Sequence, residues 1–279
     1  AYNGSGYTYV AWGWKAGGAP TVDNSAGAGS VPTAGSVKID GVDSTSALAG
    51  SIPATRISAS TTYGFSIVSY TGDGSTTGTV GHGLASAPAF VIVKNRDQAD
   101  FWKVGHQSLT APSMLTLNET YSVGNSSWAT PTTSVIGVAT ASDQYLNQNT
   151  EDYIAYCWAE TANYSKFGTY NGNNSTNGPE IDCGFIPSMV ILKRTDSAGS
   201  WTMYDTTRDT DDTLGIYLYP HLSNNEPADL DTIRITRTAD GDTYDGFKLV
   251  RAGTDINGVS TTEYIFAAFA DTREAAFWL

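Results

Sequence analysis

Basic residues are scarce in this chain: 15 Lys and Arg stand against 28 Asp and Glu, a net charge of -13 over 279 residues. Nucleic-acid binding needs clustered Lys and Arg that neutralise phosphates and release counterions, so a nucleic acid is not the expected partner. Long apolar runs are missing too. No stretch of about 18 apolar residues is present to span a bilayer, and no basic segment leads into an apolar one as in a signal peptide. Membrane insertion is therefore not expected. With only two cysteines, Cys157 and Cys183, the chain has neither a disulfide framework nor a metal quartet. The two could pair with each other or remain as partly buried free thiols.

Strong helix formers are few, and charged residues make up 15% of the chain. Gly 29, Tyr 16 and Trp 7, with abundant Ser, Thr and Asn, are in good supply. That balance favours an all-β extracellular or virion protein. The length allows one large or two ordinary domains, each with a real core. The chain begins at Ala1 rather than Met, as a fragment or a processed product would.

Two long segments echo each other. "APAFVIVKNRDQADFWKVGHQS" at 87–108 returns as "IPSMVILKRTDSAGSWTMYDTT" at 186–207. Tyr70 to Pro88 is 18 residues and Tyr170 to Pro187 is 17; Lys94 to Trp102 and Lys193 to Trp201 are both 8. Anchors held at such intervals predict two copies of one structural unit. "EDYIAYCWAE" at 151–160 and "TEYIFAAFAD" at 262–271 close the copies, and "YTYVAWGWKA" at 7–16 has the same pattern without a unit of its own. β-Branched and aromatic runs bounded by Gly, Pro and Asn read as strands and turns. The expected architecture is all-β: two related β-sandwich or jelly-roll-like units at 63–160 and 161–279. An N-terminal strand at 1–16 and a Gly/Ala/Ser/Thr-rich linker or arm at 17–62 precede them.

No catalytic motif emerges. "TGDGSTTG" at 71–78 lacks the Gly-Lys-Ser/Thr that cradles a phosphate and is matched by "NGNNSTNG" at 171–178, so both read as turns. His82 and His106 have no repeated nucleophile or acid near them, Asp205 standing where the second copy would need a histidine. They read as strand-end or loop residues. The acids Asp240, Asp242 and Asp245, bent by Gly241 and Gly246, are candidate Ca²⁺ ligands, as are Asp205, Asp209, Asp211 and Asp212. Calcium takes six to eight oxygens, yet no Glu closes a twelve-residue loop, and a solvated acidic surface is the plainer alternative. Trp102 and Trp201, equally spaced in the two copies, read as core. Trp128, in the polar stretch "GNSSWATPTT", is expected at the surface and, with Tyr121 and Asn125, is the candidate ligand contact.

The words "GFSIVSYTGDGSTTGTVGHGLASAPAFVIVKNR", "YIAYCWAE", "YSKFGTYNGNNSTNGP", "CGFIPSMVILKRTDSAGSWTMYDTTRD", "GFKL" and "YIFAAFAD" over 63–272 resemble a repeated domain of marine phage, including cyanophage, tail-fibre and virion-appendage proteins. In many relatives a laminin-G or concanavalin-like lectin domain precedes it and ends in a strand similar to "YVAWGWKAGG", which would explain the orphan at 7–16. The resemblance implies a virion location and a structural or receptor-binding role without catalysis. A homotrimer, other virion proteins and a host-surface glycan are the implied partners. The ending "TREAAFWL" departs from the family's basic terminus, and Phe277, Trp278 and Leu279 are expected to pack against a neighbouring chain or domain. A carbohydrate-binding module of a secreted protein is the alternative. A glycan depolymerase, which would need two carboxylates about 5–10 Å apart, is a third.

Overall fold

The computed structural model describes residues 5–6, 8–125, 128–138, 144–224, 226, 231–238, 241 and 243–271. The fold is all-β, with one short helix among the described residues. The first half carries β1 (Val37–Ile39), β2 (Val42–Asp43), β3 (Ala54–Ser60), β4 (Phe65–Thr71), β5 (Thr79–Gly81), β6 (Phe90–Asn95) and β7 (Trp102–His106). It continues with β8 (Ser113–Thr116), β9 (Gly124–Asn125), β10 (Val135–Gly137), α1 (Gln144–Asn147) and β11 (Asp152–Trp158). The second half carries β12 (Ser165–Asn171), β13 (Glu180–Asp182), β14 (Met189–Arg194), β15 (Trp201–Asp205) and β16 (Thr213–Leu214). β17 (Tyr217–Leu218), β18 (Ile233–Thr236), β19 (Gly246–Leu249) and β20 (Glu263–Phe269) complete it. No helix among the described residues is long and apolar enough to cross a membrane.

Each half is a sandwich of one large and one small sheet. The large sheets run β2-β1-β3-β4-β11-β6-β7-β8-β9 and β12-β20-β14-β15-β17, so β4-β11-β6-β7 in one is matched by β12-β20-β14-β15 in the other. The small sheets are β10-β5 and β13-β19-β18-β16. Alternation explains the layering, because successive side chains of a strand point to opposite faces. In β4, Val68 and Tyr70 face Val80 and Ile136 of the small sheet in one core. On the other side Phe65, with Phe90 and Trp158, meets Phe167, Met189, Trp201, Ile265 and Phe269 of the second half. The large sheets thus pack back to back; the central strand β20 is buried on both faces, which is why its sequence is a nearly continuous apolar run, whereas β11 buries Tyr153, Ala155 and Cys157 and leaves Ile154 and Tyr156 on its other face half-buried.

Polar bonds also join the halves. His106 Nε2 meets the Phe266 carbonyl at 3.1 Å, and Trp201 Nε1 donates to the Thr116 carbonyl at 2.9 Å. Trp201 is 1% exposed, as a core residue should be; its counterpart Trp102 is only half-buried.

The segment before residue 63 departs from the sequence reading. Residues 8–16 pair with no strand; instead Trp14 packs edge-on to Trp158 at 5.5 Å and Phe269 at 5.4 Å, covering one end of the shared core. Residues 17–62 are not merely a linker, since β1, β2 and β3 lie there and β3 pairs with β4 along Ala54–Ser60. The reason is apolar: Val37, Leu48, Ile52, Ala54, Ile57 and Ala59 are buried against the first core, although Gly and Ser dilute their pattern in the sequence. Cys157 and Cys183 are free and buried, one in each sandwich core. Phe277, Trp278 and Leu279 lie outside the described residues.

Candidate functional site

One constellation occurs in both halves. Tyr70 stacks on Tyr153 with ring centroids 5.2 Å apart, and Tyr170 stacks on Tyr264 at 4.9 Å. Tyr70 donates to the Leu146 carbonyl at 2.7 Å and Tyr170 to the Ile256 carbonyl at 2.6 Å. Next along the chain, Asn147 Nδ2 donates to Asp73 and to the Ser75 carbonyl, while Asn257 Nδ2 donates to Asn173 and to the Ser175 carbonyl. The loops "TGDGSTTG" and "NGNNSTNG" are therefore turns, each pinned by a buried asparagine. Gly72 and Gly172 allow the approach: a Cβ there would lie 2.1 Å from the Gln148 oxygen and 2.2 Å from the Gly258 oxygen. These nodes are scaffold, because every polar atom faces another part of the same half.

In the second half the node also carries a cleft. The turn at 251–256 is tied down by Asn257 Nδ2 to the Arg251 carbonyl at 3.1 Å and by the Tyr264 hydroxyl to the Thr254 carbonyl at 2.6 Å. Opposite it runs the edge strand β17, in which the run "YLYPH" begins, with Tyr217 in the strand and Tyr219 just past its end. Pro220 has no N–H to continue the ladder. Tyr217 packs on Tyr204 at 5.3 Å and on Tyr219 at 5.2 Å, and the Tyr219 hydroxyl donates to that of Tyr217 at 3.2 Å. The space between, about 230 Å³, is lined by these tyrosines with Thr202, Arg251 and Asp255.

Electrostatics set this cleft apart. Burial pushes the Tyr219 hydroxyl pKa up, with its bond to Tyr217 adding to the effect, so it stays a donor at neutral pH. Thr202, 2% exposed, has no hydrogen-bond partner of normal geometry for Oγ1 among the described residues; it lies near the Tyr204 hydroxyl, whose pKa burial raises. Asp255 Oδ1 accepts from Ser200 N at 3.3 Å. Behind it lies Lys193, fully buried, its Nζ donating to the Arg194 carbonyl at 2.7 Å. Burial pulls the Lys193 pKa down to about 8 against the opposing pull of Asp255.

Two other clefts are larger, and among the described residues Arg96 in the first has no ion pair and Trp12 Nε1 in the second no hydrogen bond. A groove of about 800 Å³ crosses the β3-β4-β11 face, but Arg56 there is paired with Asp23, and Asp152 accepts from Thr71 at 2.7 Å. The cleft of about 520 Å³ beside residues 9–14 holds Arg208, which is paired with Asp205 and Glu226 and stacked over Trp12.

The residues singled out from sequence do not form a site. Trp128 is 2% exposed, not at the surface: its indole fills a slot above Gly105, where a Cβ would stand 2.3 Å from the ring. Tyr121 is exposed and edge-on to Phe101, and Asn125 lies in β9 opposite Ser113. Asp240 and Asp242 lie outside the described residues, and Asp245 is engaged in a turn, accepting from Thr238 N at 3.1 Å. Among the described residues no group of three or more His, Cys, Asp or Glu is placed to hold a metal. Asp205 and Asp209 are buried turn caps rather than a solvated surface. Asp205 accepts from Thr207 N and Asp209 from Gly215 N, while Asp211 and Asp212 are exposed. Sequence reasoning missed Tyr217, Tyr219, Arg251 and Asp255; the alternating aromatics of "YLYPH" were the available signal.

Residues 38–273 match a family described as "Domain of unknown function (DUF7483)". No curated protein and no solved structure matches the chain.

Proposed function

We propose, on the premise that this chain belongs to the DUF7483 family, that it is a non-catalytic phage virion protein, a tail-fibre or appendage component that contributes to attachment to a host-surface glycan. The observation that carries this reading is the Tyr217–Tyr219 cleft with Arg251 and Asp255. Aromatic faces beside planar charged groups suit a sugar, which presents apolar C–H faces and vicinal hydroxyls together. The scaffold supports it as well: both halves keep the Tyr–Tyr–Asn node, whereas the loops around it differ, and binding residues belong on loops held by a rigid frame. The resemblance of 63–272 to virion-appendage repeats supplies the location and the homotrimer. The non-catalytic part of the reading comes from the resemblance; in this cleft Asp255 is the single lining carboxylate among the described residues, where glycoside hydrolysis takes two.

The test is an array of bacterial surface polysaccharides probed with the chain, alongside its mass in solution by light scattering. Binding that Tyr219→Ala abolishes, by a trimer that leaves polymer length unchanged, is the expected result. Binding by a monomer favours the second reading, a carbohydrate-binding module, which the self-contained core of a single chain would suit. Shortening of the polymer would overturn the non-catalytic assignment, and binding to nothing would overturn attachment.

A further inference from the structure

We propose that the Tyr217–Tyr219 cleft takes a terminal acidic sugar whose carboxylate sits on Arg251; this rests on the glycan reading above. Arg251 lines the cleft, and among the described residues no carboxylate forms an ion pair with it. In contrast, Arg56, Arg194 and Arg208 are bonded to Asp23, Asp196 and Asp205. Arg251 therefore keeps its fork of N–H donors, the geometry that a carboxylate meets with two parallel bonds.

The rest of the cleft fits the remainder of such a sugar. Asp255, held by Ser200 N and facing the buried Lys193 ammonium, is an acceptor for ring hydroxyls whose charge is partly balanced from behind. Thr202 Oγ1, buried and lacking a well-formed bond, is a further polar atom lining the cleft. The volume of about 230 Å³ lies below the roughly 300–1,000 Å³ of drug-sized ligand sites. It suits one residue at a chain end rather than an internal run.

The overall charge of -13 acts against an anion at long range. Screening over a Debye length of about 8 Å at physiological salt limits that repulsion, whereas the contact with Arg251 is local. A neutral sugar in the same place would desolvate the guanidinium and return no charge to it. The cleft should therefore discriminate by charge.

The experiment is calorimetric titration of the full chain with matched oligosaccharides ending in glucuronate or glucose, galacturonate or galactose, and N-acetylneuraminate or galactose. Wild-type protein is compared with Arg251→Gln and Arg251→Lys, each checked for an unchanged unfolding transition. At least one acidic probe should bind about tenfold or more tightly than its neutral partner, the scale of a charged hydrogen-bonded pair. Arg251→Gln should remove that preference, bringing the acidic and neutral probes to equal affinity, and Arg251→Lys should keep part of it. Equal binding of acid and neutral by the wild type, or a preference that survives in Arg251→Gln, overturns the acidic assignment and leaves the glycan reading standing. Binding of none of the probes, with none on the polysaccharide array, overturns both.

Discussion

His106 of the first half faces the Phe266 carbonyl of the second at 3.1 Å, while its Nδ1 accepts from Ser108 N at 3.1 Å. Those two partners assign the tautomer: Nδ1 must be bare and Nε2 must carry the proton. In the second half Asp205 has the same turn-capping task, its Oδ1 accepting from Thr207 N at 3.1 Å. The polar substitution from one half to the other thus keeps the acceptor that the turn needs, and at this position the first half also adds a donor across the shared core.

Acid should destabilise the fold through this residue. Burial lowers the His106 pKa from 6.5 to about 4, and His82, also buried, is lowered in the same direction. Between those values the unfolded chain binds a proton that the folded chain does not. The stability from neutral His106 is therefore complete above about pH 6.5 and falls as pH drops toward 4, by up to roughly 3 kcal/mol. Urea unfolding at a series of pH values should show this slope. His106→Asn, which keeps an acceptor for Ser108 N and does not titrate, should flatten it; an unchanged slope would mean that other groups carry the effect.

Asn147→Ala and Asn257→Ala should each destabilise by about 2–3 kcal/mol, because several buried partners are left unpaired at once. The two nodes share no partner, so the double variant should be additive within roughly 0.5 kcal/mol. Only Asn257→Ala should also weaken ligand binding, since Asn257 holds the turn bearing Arg251 and Asp255. Paired denaturation and titration experiments separate the two effects.

Trp128→Ala should cost about 3–5 kcal/mol, as truncation of a large buried aromatic does, and leave ligand affinity unchanged. Tyr219→Ala should do the reverse, with the smaller loss of stability and the larger loss of binding. If Trp128→Ala removed binding from a folded protein, the cleft would be wrongly placed.

Both thiols should resist modification in the native state. Cys157 is completely buried, its pKa pushed up by desolvation, and burial likewise raises Cys183 to about 12, so almost no thiolate forms at neutral pH. Ellman's reagent should titrate none natively and two thiols in denaturant. A fast-reacting native thiol would contradict the packing of that core.

Much of the scaffold was legible because its signals are local. Lys94 and Lys193, eight residues before Trp102 and Trp201, occupy matching strands, and each donates its ammonium to the carbonyl of the next residue. "DYIAYCW" announced a central strand through its lack of polar alternation, but one of its faces, with Ile154 and Tyr156, is only half-buried. Trp128 was misread because its neighbours in sequence are polar, while the slot that receives it is made by Gly105, 23 positions earlier. β3 was missed because "ATRISAS" buries small residues, whose apolar signal is weak.

All-β character, the strands of the two repeated segments and the paired turns were determined by the sequence alone, since residue-by-residue alternation and Gly/Asn punctuation act within a few positions of the backbone. The back-to-back packing of the large sheets, the burial of Trp128 and the meeting of Tyr219 with Arg251 and Asp255 were decided only by the tertiary structure. Such contacts join residues as far apart as the 160 positions between His106 and Phe266. Their partners are selected by shape and by the need of every buried polar group for a bond, and neither leaves a pattern along the chain.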